Sequence, residues 1–324
     1  MDAKSSKIQY YSSVTPQEIE WLWYPYIPYG RITVIQGDPG EGKTTFVLQI
    51  AARLSTGKPL PECETSLPPL NVIYQSTEDG IADTVKPRLI SAGADCGRVA
   101  FIDDTSCSLT LDDERLEHAI CESQARLLVL DPLQSFIGAD SDMHRANEMR
   151  PLMHKLAGIA ERTRCAVIII GHMNKATGSK GLYRSLGSID ITAAARSVLL
   201  IGRLKDEPSI RVMTQIKNNL APEGRSVAFE MMQEGGIRWI GYYDVTADDL
   251  LSGGNQPDTS KLLQARTLLR EALFEKPMLC TEIYTLCKKH SIGERSVDSA
   301  KRLENIKSVK MPDGWYWKLE VDTQ

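Results

Sequence analysis

The chain is 324 residues long, 42% hydrophobic, and carries a formal net charge of −4. That length exceeds one typical domain and that composition supplies a packed core, which excludes a disordered or fibrous chain. The slight acidity excludes a protein coated in nucleic-acid-binding charge but leaves room for a local basic channel.

The first residues, M-D-A-K-S-S-K-I-Q-Y-Y, contain no apolar core and do not read as a signal peptide. Residues 1–28 read as an extension ahead of the first strand. The longest apolar runs, such as Ala166 to Gly171, fall far short of a membrane span. Seven cysteines are scattered without a C-x-x-C pair, the pattern of reduced thiols. The expectation is a soluble, cytoplasmic protein with no membrane partner.

Residues 31–36, R-I-T-V-I-Q, read as a buried strand, and T-T-F-V-L-Q-I-A-A-R-L from Thr44 as a helix. Between them Gly37-Asp38-Pro39-Gly40-Glu41-Gly42-Lys43-Thr44 completes the pattern G-x-x-x-x-G-K-[ST]. Strand, loop and helix together are the setting a phosphate-binding loop requires. Gly37, Gly40 and Gly42 tolerate backbone angles that let N–H groups turn inward at a helix N-terminus, where an anion is favoured. Lys43 is placed to reach the β- and γ-phosphates and the Thr44 hydroxyl to bind Mg²⁺, and Thr45 is counted with the nucleotide-binding residues. The expected cofactors are ATP and Mg²⁺.

Further apolar runs at 71–76, 99–102, 127–130 and 166–171 alternate with helical patterns over 84–92, 113–124 and 147–162. This alternation predicts an α/β fold, a mostly parallel sheet covered by helices on both faces. Glu78 and Asp79 follow the second of these strands. A carboxylate there can orient the attacking water and accept its proton, and Glu78 has the reach. A solvated turn pair is the alternative reading. Asp131 ends L-L-V-L-D, where a carboxylate can hold the hydration shell of Mg²⁺; a helix N-cap is its alternative. His172 ends V-I-I-I-G-H, placed to contact the γ-phosphate or simply to fill a structural role. The segment from Asn174 to Ser188 interleaves Lys175, Lys180 and Arg184 with glycines, suiting the phosphates of single-stranded DNA in a channel, or an ordinary surface loop.

From Ser197 to Trp239 four strand-like runs are separated by turn signals and read as an antiparallel extension of the sheet. The first domain therefore spans 1–250. Residues 251–260, L-S-G-G-N-Q-P-D-T-S, read as a linker. From 261 to 324 the order is helix, helix, turn, helix and terminal hairpin, that of a winged helix. This segment holds 12 basic and 9 acidic residues, whereas the first 260 carry a net of −7. Arg295, Lys301 and Arg302 on its last helix are the candidates for contact with duplex DNA.

Taken together, G-D-P-G-E-G-K-T, S-T-E-D-G, L-L-V-L-D-P-L-Q, G-H-M-N-K and G-S-I-D-I-T-A-A-A-R resemble the RecA-like ATPases, specifically the RepA-type hexameric helicases of plasmids and phages. The resemblance covers about three quarters of the chain. It implies Glu78 as catalytic carboxylate, Asp131 as the Walker B aspartate, His172 as sensor and 174–188 as the DNA-binding loop of a ring's central channel. It also implies ATP bound between subunits of a homo-oligomer, with Arg196 as arginine finger. Lys217 matches the lysine of the finger hairpin in related helicases, although Asn219 stands where those carry an arginine. The function so implied is an ATP-hydrolysing, DNA-linked helicase or loader of a mobile element. A nucleotide-switched DNA-binding scaffold that never translocates is the second reading, and a small-molecule kinase the third.

Overall fold

The computed structural model describes residues 8, 10–138, 145–173, 189–204, 207–232, 236–252, 259–274 and 276–319. A small antiparallel hairpin, β1 (Trp21–Trp23) and β2 (Ile27–Pro28), precedes β3 (Ile32–Gly37), and the phosphate-loop sequence joins β3 to α1 (Lys43–Thr56). Next come β4 (Asn71–Ser76), α2 (Lys86–Ser91), β5 (Val99–Ala100), α3 (Glu114–Ser123), β6 (Ala125–Asp131), α4 (Ala146–Thr163) and β7 (Ala166–His172). Short α5 (Ile189–Ala194) leads to β8 (Ser197–Arg203), β9 (Ile210–Asn218), β10 (Ser226–Met231) and β11 (Ile237–Tyr243). The rest comprises α6 (Ala247–Ser252), α7 (Thr259–Leu273), β12 (Met278–Leu279), α8 (Cys280–Lys289), α9 (Glu294–Leu303), β13 (Ile306–Met311) and β14 (Gly314–Leu319).

Nine strands form the main sheet in the order β11-β10-β9-β8-β3-β7-β6-β4-β5. Pairing is parallel from β8 through β5 and antiparallel from β8 through β11. Every residue of β3 is buried, which explains its unbroken apolar run: a strand covered on both faces has no polar face to alternate with. Ile35 packs with Phe46, Val47 and Ile50 of α1, whereas Ile32 and Val34 pack with Met149 and Met153 of α4 on the other face. The expected α/β architecture is therefore the observed one. The β-branched runs became strands because helices on both sides bury them, and Gly57 (φ +70°) ends α1 in a left-handed cap.

Elements absent from the sequence reading are short or irregular. The proline- and aromatic-rich stretch 21–28 forms β1–β2, and six-residue α5 is too brief to show a helical period. The expected helix over 84–92 begins instead with a wide π-type turn, Ile81–Val85, directly after Glu78 and Asp79.

At the C-terminal end, α7 to α9 pack with a three-stranded antiparallel sheet of order β12-β14-β13. Leu262, Ala265, Leu269 and Leu273 recur at helical spacing and are all buried. They join Val297, Ala300 and Trp317 in one core with Val212, Ala228 and Ile240 of the antiparallel strands. The polar stretch 251–260 thus separates segments of sequence that share a core.

Candidate nucleotide site

Backbone geometry shapes the loop before any side chain does. Gly40 (φ +78°) and Gly42 (φ +86°) adopt left-handed conformations, and Gly42 caps the start of α1. A Cβ on Gly37 would sit 2.2 Å from the carbonyl oxygen of Ile201 in neighbouring β8, so only glycine fits where β3 turns into the loop. Asp38, Pro39 and Gly40 are exposed, and Thr44 and Thr45 are half-buried on the first turn of α1.

Lys43 is 4% exposed. Its Nζ donates to the carbonyls of Gly37 and Asp38, each at 2.9 Å, and lies 3.2 Å from Nδ1 of His172. An ammonium has only donors, so Nδ1 accepts and the imidazole proton sits on Nε2. Burial pushes the Lys43 amine below its ordinary value, opposed by the carboxylates of Asp131, Asp38, Glu41 and Glu78. Burial, then the Lys43 charge, likewise lowers His172. Parallel pairing sets Gly37 opposite His172, which is why residues 129 apart in sequence meet here.

Asp131 ends β6 and is 7% exposed. Its Oδ2 accepts from the Thr44 hydroxyl at 2.8 Å and from the Tyr74 hydroxyl at 2.6 Å. Desolvation raises its carboxyl above the usual carboxylate range, the two hydroxyl donors oppose that rise, and Glu78 and Asp79 add to it. A hydroxyl beside one carboxylate is a hard-oxygen donor set that suits Mg²⁺, which retains waters and takes its remaining ligands from phosphates. Thr44 and Asp131 therefore fit that ion. Among the described residues no group of three His, Cys, Asp or Glu side chains is arranged as a self-sufficient metal cage.

Glu78 is exposed just beyond β4, on the side where Asp131 ends β6, and its charge acts on Lys43, Asp131 and His172. Its neighbour Asp79 is tied to Arg88 of α2 at 2.6 Å. Tyr74, fully buried on β4, had no signal in the sequence. A tyrosine within an apolar run reads as core until the partner of its hydroxyl is seen.

The remaining candidates lie elsewhere. Arg196 precedes β8 and is exposed; its N–H donates to the carbonyl of Ile32 at the start of β3. The loop begins five residues farther along β3, about 16 Å away at strand rise. Lys217 pairs with Val198 at that same edge, and its Nζ donates to the carbonyls of Thr192 (2.7 Å), Ala193 (3.3 Å) and Ala195 (2.9 Å), capping the end of α5. Lys175, Lys180 and Arg184 lie outside the described residues, as does the side chain of Arg295. Lys301 donates to Ser308 Oγ at 2.6 Å and stands 4.3 Å over the Trp317 ring. Arg302 lies close to Gly241 of β11, beside Glu62. Of the nucleic-acid candidates on α9, both described side chains are thus engaged within the chain or directed toward the sheet.

A family model described as an AAA domain matches residues 3–178. The DNA repair protein RadA of Halalkalibacterium halodurans is 26% identical over 211 residues, 64% of this chain and 40% of that protein. The chain thus spans less than half the length of this relative. Protein RecA of Clostridium novyi is 24% identical over 296 residues, covering 85% of this chain and 81% of the relative. A solved structure described as the ATPase domain of G40P superposes with a TM-score of 0.50 at 15% identity, over 66% of this chain and 85% of that one. The architecture of the main sheet is the RecA-like fold.

Proposed function

The chain belongs to the AAA domain family, and from that premise we propose that it hydrolyses ATP as a RecA-type, DNA-linked motor or loader assembled as a ring, with each nucleotide held between two copies. The observation that carries this reading is the placement of charges at the two ends of the central strands: Lys43, Thr44, Asp131 and Glu78 stand together at one, while Arg196 is exposed at the other.

The geometry supports the following roles. The inward amides of the loop and Lys43 bind the phosphates. Thr44 and Asp131 would hold Mg²⁺, which when bound neutralises charge on the β- and γ-phosphates. Glu78 orients a water and takes its proton as the water oxygen bonds to the γ-phosphorus and the bond to the β-phosphate oxygen breaks. His172, hydrogen-bonded to Lys43, is the group through which a change at the γ-phosphate reaches residues 174–188, the proposed channel segment containing Lys175, Lys180 and Arg184. Arg196 of one copy supplies positive charge to the γ-phosphate bound by the next, a finger that acts only across an interface. The capping bonds of Lys217 favour a structural role for it, so Arg196 carries the finger assignment.

For the C-terminal helices and hairpin, the order helix, strand, two helices and β-hairpin supports a winged helix. The docking of α9 beside β11 favours the second reading for this part, a module that controls assembly or holds a site while ATP switches the core.

ATPase assays with and without single-stranded DNA test the proposal. The expected outcome is stimulation by the strand and loss of turnover in Lys43→Ala. A rate indifferent to every single-stranded nucleic acid contradicts the motor, and ATP-dependent duplex binding without strand separation selects the switch.

A further inference from the structure

A second set of charges, unused by the hydrolytic site, grips the phosphate loop through Glu41. Its Oε1 lies 3.1 Å from Nε of Arg203, the last residue of β8, and its Oε2 lies 3.4 Å from Nε of Arg211, the second residue of β9. Arg203 also reaches the Gly40 carbonyl at 3.5 Å. Arg203 therefore holds the loop by hydrogen bonds to Glu41 and a carbonyl, and Arg211 adds charge beside Glu41 without a hydrogen bond from its Nε. Arg211 is only 8% exposed, and so deeply set a cation is retained at a cost unless its partner stays in place.

The short turn carrying Arg211 also carries an acid that faces the other way. Ile210 N–H donates to the Glu207 carbonyl at 2.9 Å, and Arg211 donates to the carbonyl of Pro208, so residues 207 to 211 form one tight unit. Glu207 Oε2 lies 3.2 Å from Arg266 of α7. Arg266 Nε in turn donates to Glu304 at 2.8 Å, and Glu304, just past α9, also accepts from Arg270. The Glu304 side chain is 4% exposed, and losing one partner from such a cluster leaves an uncompensated buried charge. Alternating charges thus run from the loop to the C-terminal helices, with one turn between them.

We propose that Arg211, with Arg203, is a positioning residue for the phosphate loop, and that the 207–211 turn links nucleotide binding at that loop to the docking of α7 and α9 through Glu207 and Arg266. The inference rests on the nucleotide-binding reading above. A triphosphate places negative charge beside Glu41, so the hold on Glu41 differs between empty and filled loops. Any shift of the turn carries Glu207 with it. By reciprocity, loosening α7 from Glu207 changes nucleotide affinity by the same factor that nucleotide changes the docking.

The test uses the full chain and a fluorescent ATP analogue in equilibrium titrations. Arg211→Gln raises Kd about tenfold and Arg211→Lys less. Arg266→Gln, which touches no part of the loop, raises it about fivefold, within the usual range of coupling between sites. The double variant binds no more weakly than Arg211→Gln alone, because both changes break one path. An unchanged Kd in Arg266→Gln, or effects that multiply, overturns the linkage. Should Arg211→Gln fail to fold, hydrogen exchange decides. The analogue slows amides of 266–273 and 297–303 in the wild type but not in Glu41→Gln, and equal slowing in both overturns the proposal. If the wild type binds no nucleotide, the site itself is misread and the linkage falls with it, whereas binding with an unaffected Arg266→Gln refutes the linkage alone.

Discussion

Where β3, β6 and β7 end, Lys43, Asp131 and His172 are each tied to groups of the same chain; where β8 begins, Arg196 stands exposed and Lys217 closes the end of α5. Burial explains the contrast. Lys43 and Asp131 are nearly out of water and need partners, which the hydrogen bonds of this region supply. Arg196 is solvated, and its backbone pairs with Ile32, about 16 Å along β3 from the start of the loop, a placement that fits the proposed service to a neighbouring copy's phosphate. One end of the strands gathers the candidate nucleotide site; the arginine proposed to serve a neighbouring copy stands at the other.

The sharpest way to break this contrast is Arg196→Ala. It should lower kcat by about 10³-fold or more, the range of arginine fingers, while a single chain still binds nucleotide. A wild-type rate in that variant makes the opposite edge irrelevant to chemistry. Glu78→Gln tests the phosphate edge, with an expected loss of about 10²- to 10⁴-fold in turnover at retained ATP affinity, as for removal of a general base. If affinity falls and turnover does not, Glu78 is a solvated turn residue.

Tyr74→Phe probes how the network is held. Removing the donor from a buried carboxylate should cost about 1.5–3 kcal/mol of stability by chemical denaturation and raise the Mg²⁺ concentration needed for tight nucleotide binding. A variant with unchanged Mg²⁺ dependence assigns Tyr74 to the core alone. The smallest effect concerns His172, whose pKa is lowered in the folded chain by burial and by Lys43. The unfolded chain then takes up the proton first, so stability is full above about pH 6.5 and declines as pH falls from there toward the lowered folded value. Thermal melts of wild type and His172→Gln should converge across that window; parallel curves would place the ring outside the Lys43 network.

Legibility in the sequence followed the same division. Elements defined by continuous apolar runs, such as 71–76 and 166–171, and the loop with its glycines were readable because local pattern decides them. That Lys43, Thr44 and Asp131 come together follows from strand ends of a parallel sheet converging at one end. Tyr74, Arg203 and Arg211 were not, since each acts through a partner distant in sequence on another strand or loop. The composition of 251–260 reads as a linker, yet Leu269 and Val297 of the helices beyond it share a core with Ala228 and Ile240 of the sheet, packing that no local pattern reveals. Lys217 matched a motif while its side chain caps α5, a use visible only once α5 lies beside it.

The claim that two copies complete one site is tested most directly by mixing chains. Lys43→Ala and Arg196→Ala should each be inactive alone. An equal mixture that reassorts should regain hydrolysis, because up to about a quarter of its interfaces pair an intact loop with an intact arginine. Recovered activity is the predicted result. A mixture as inactive as either variant, under conditions where the chains demonstrably co-assemble, contradicts the account.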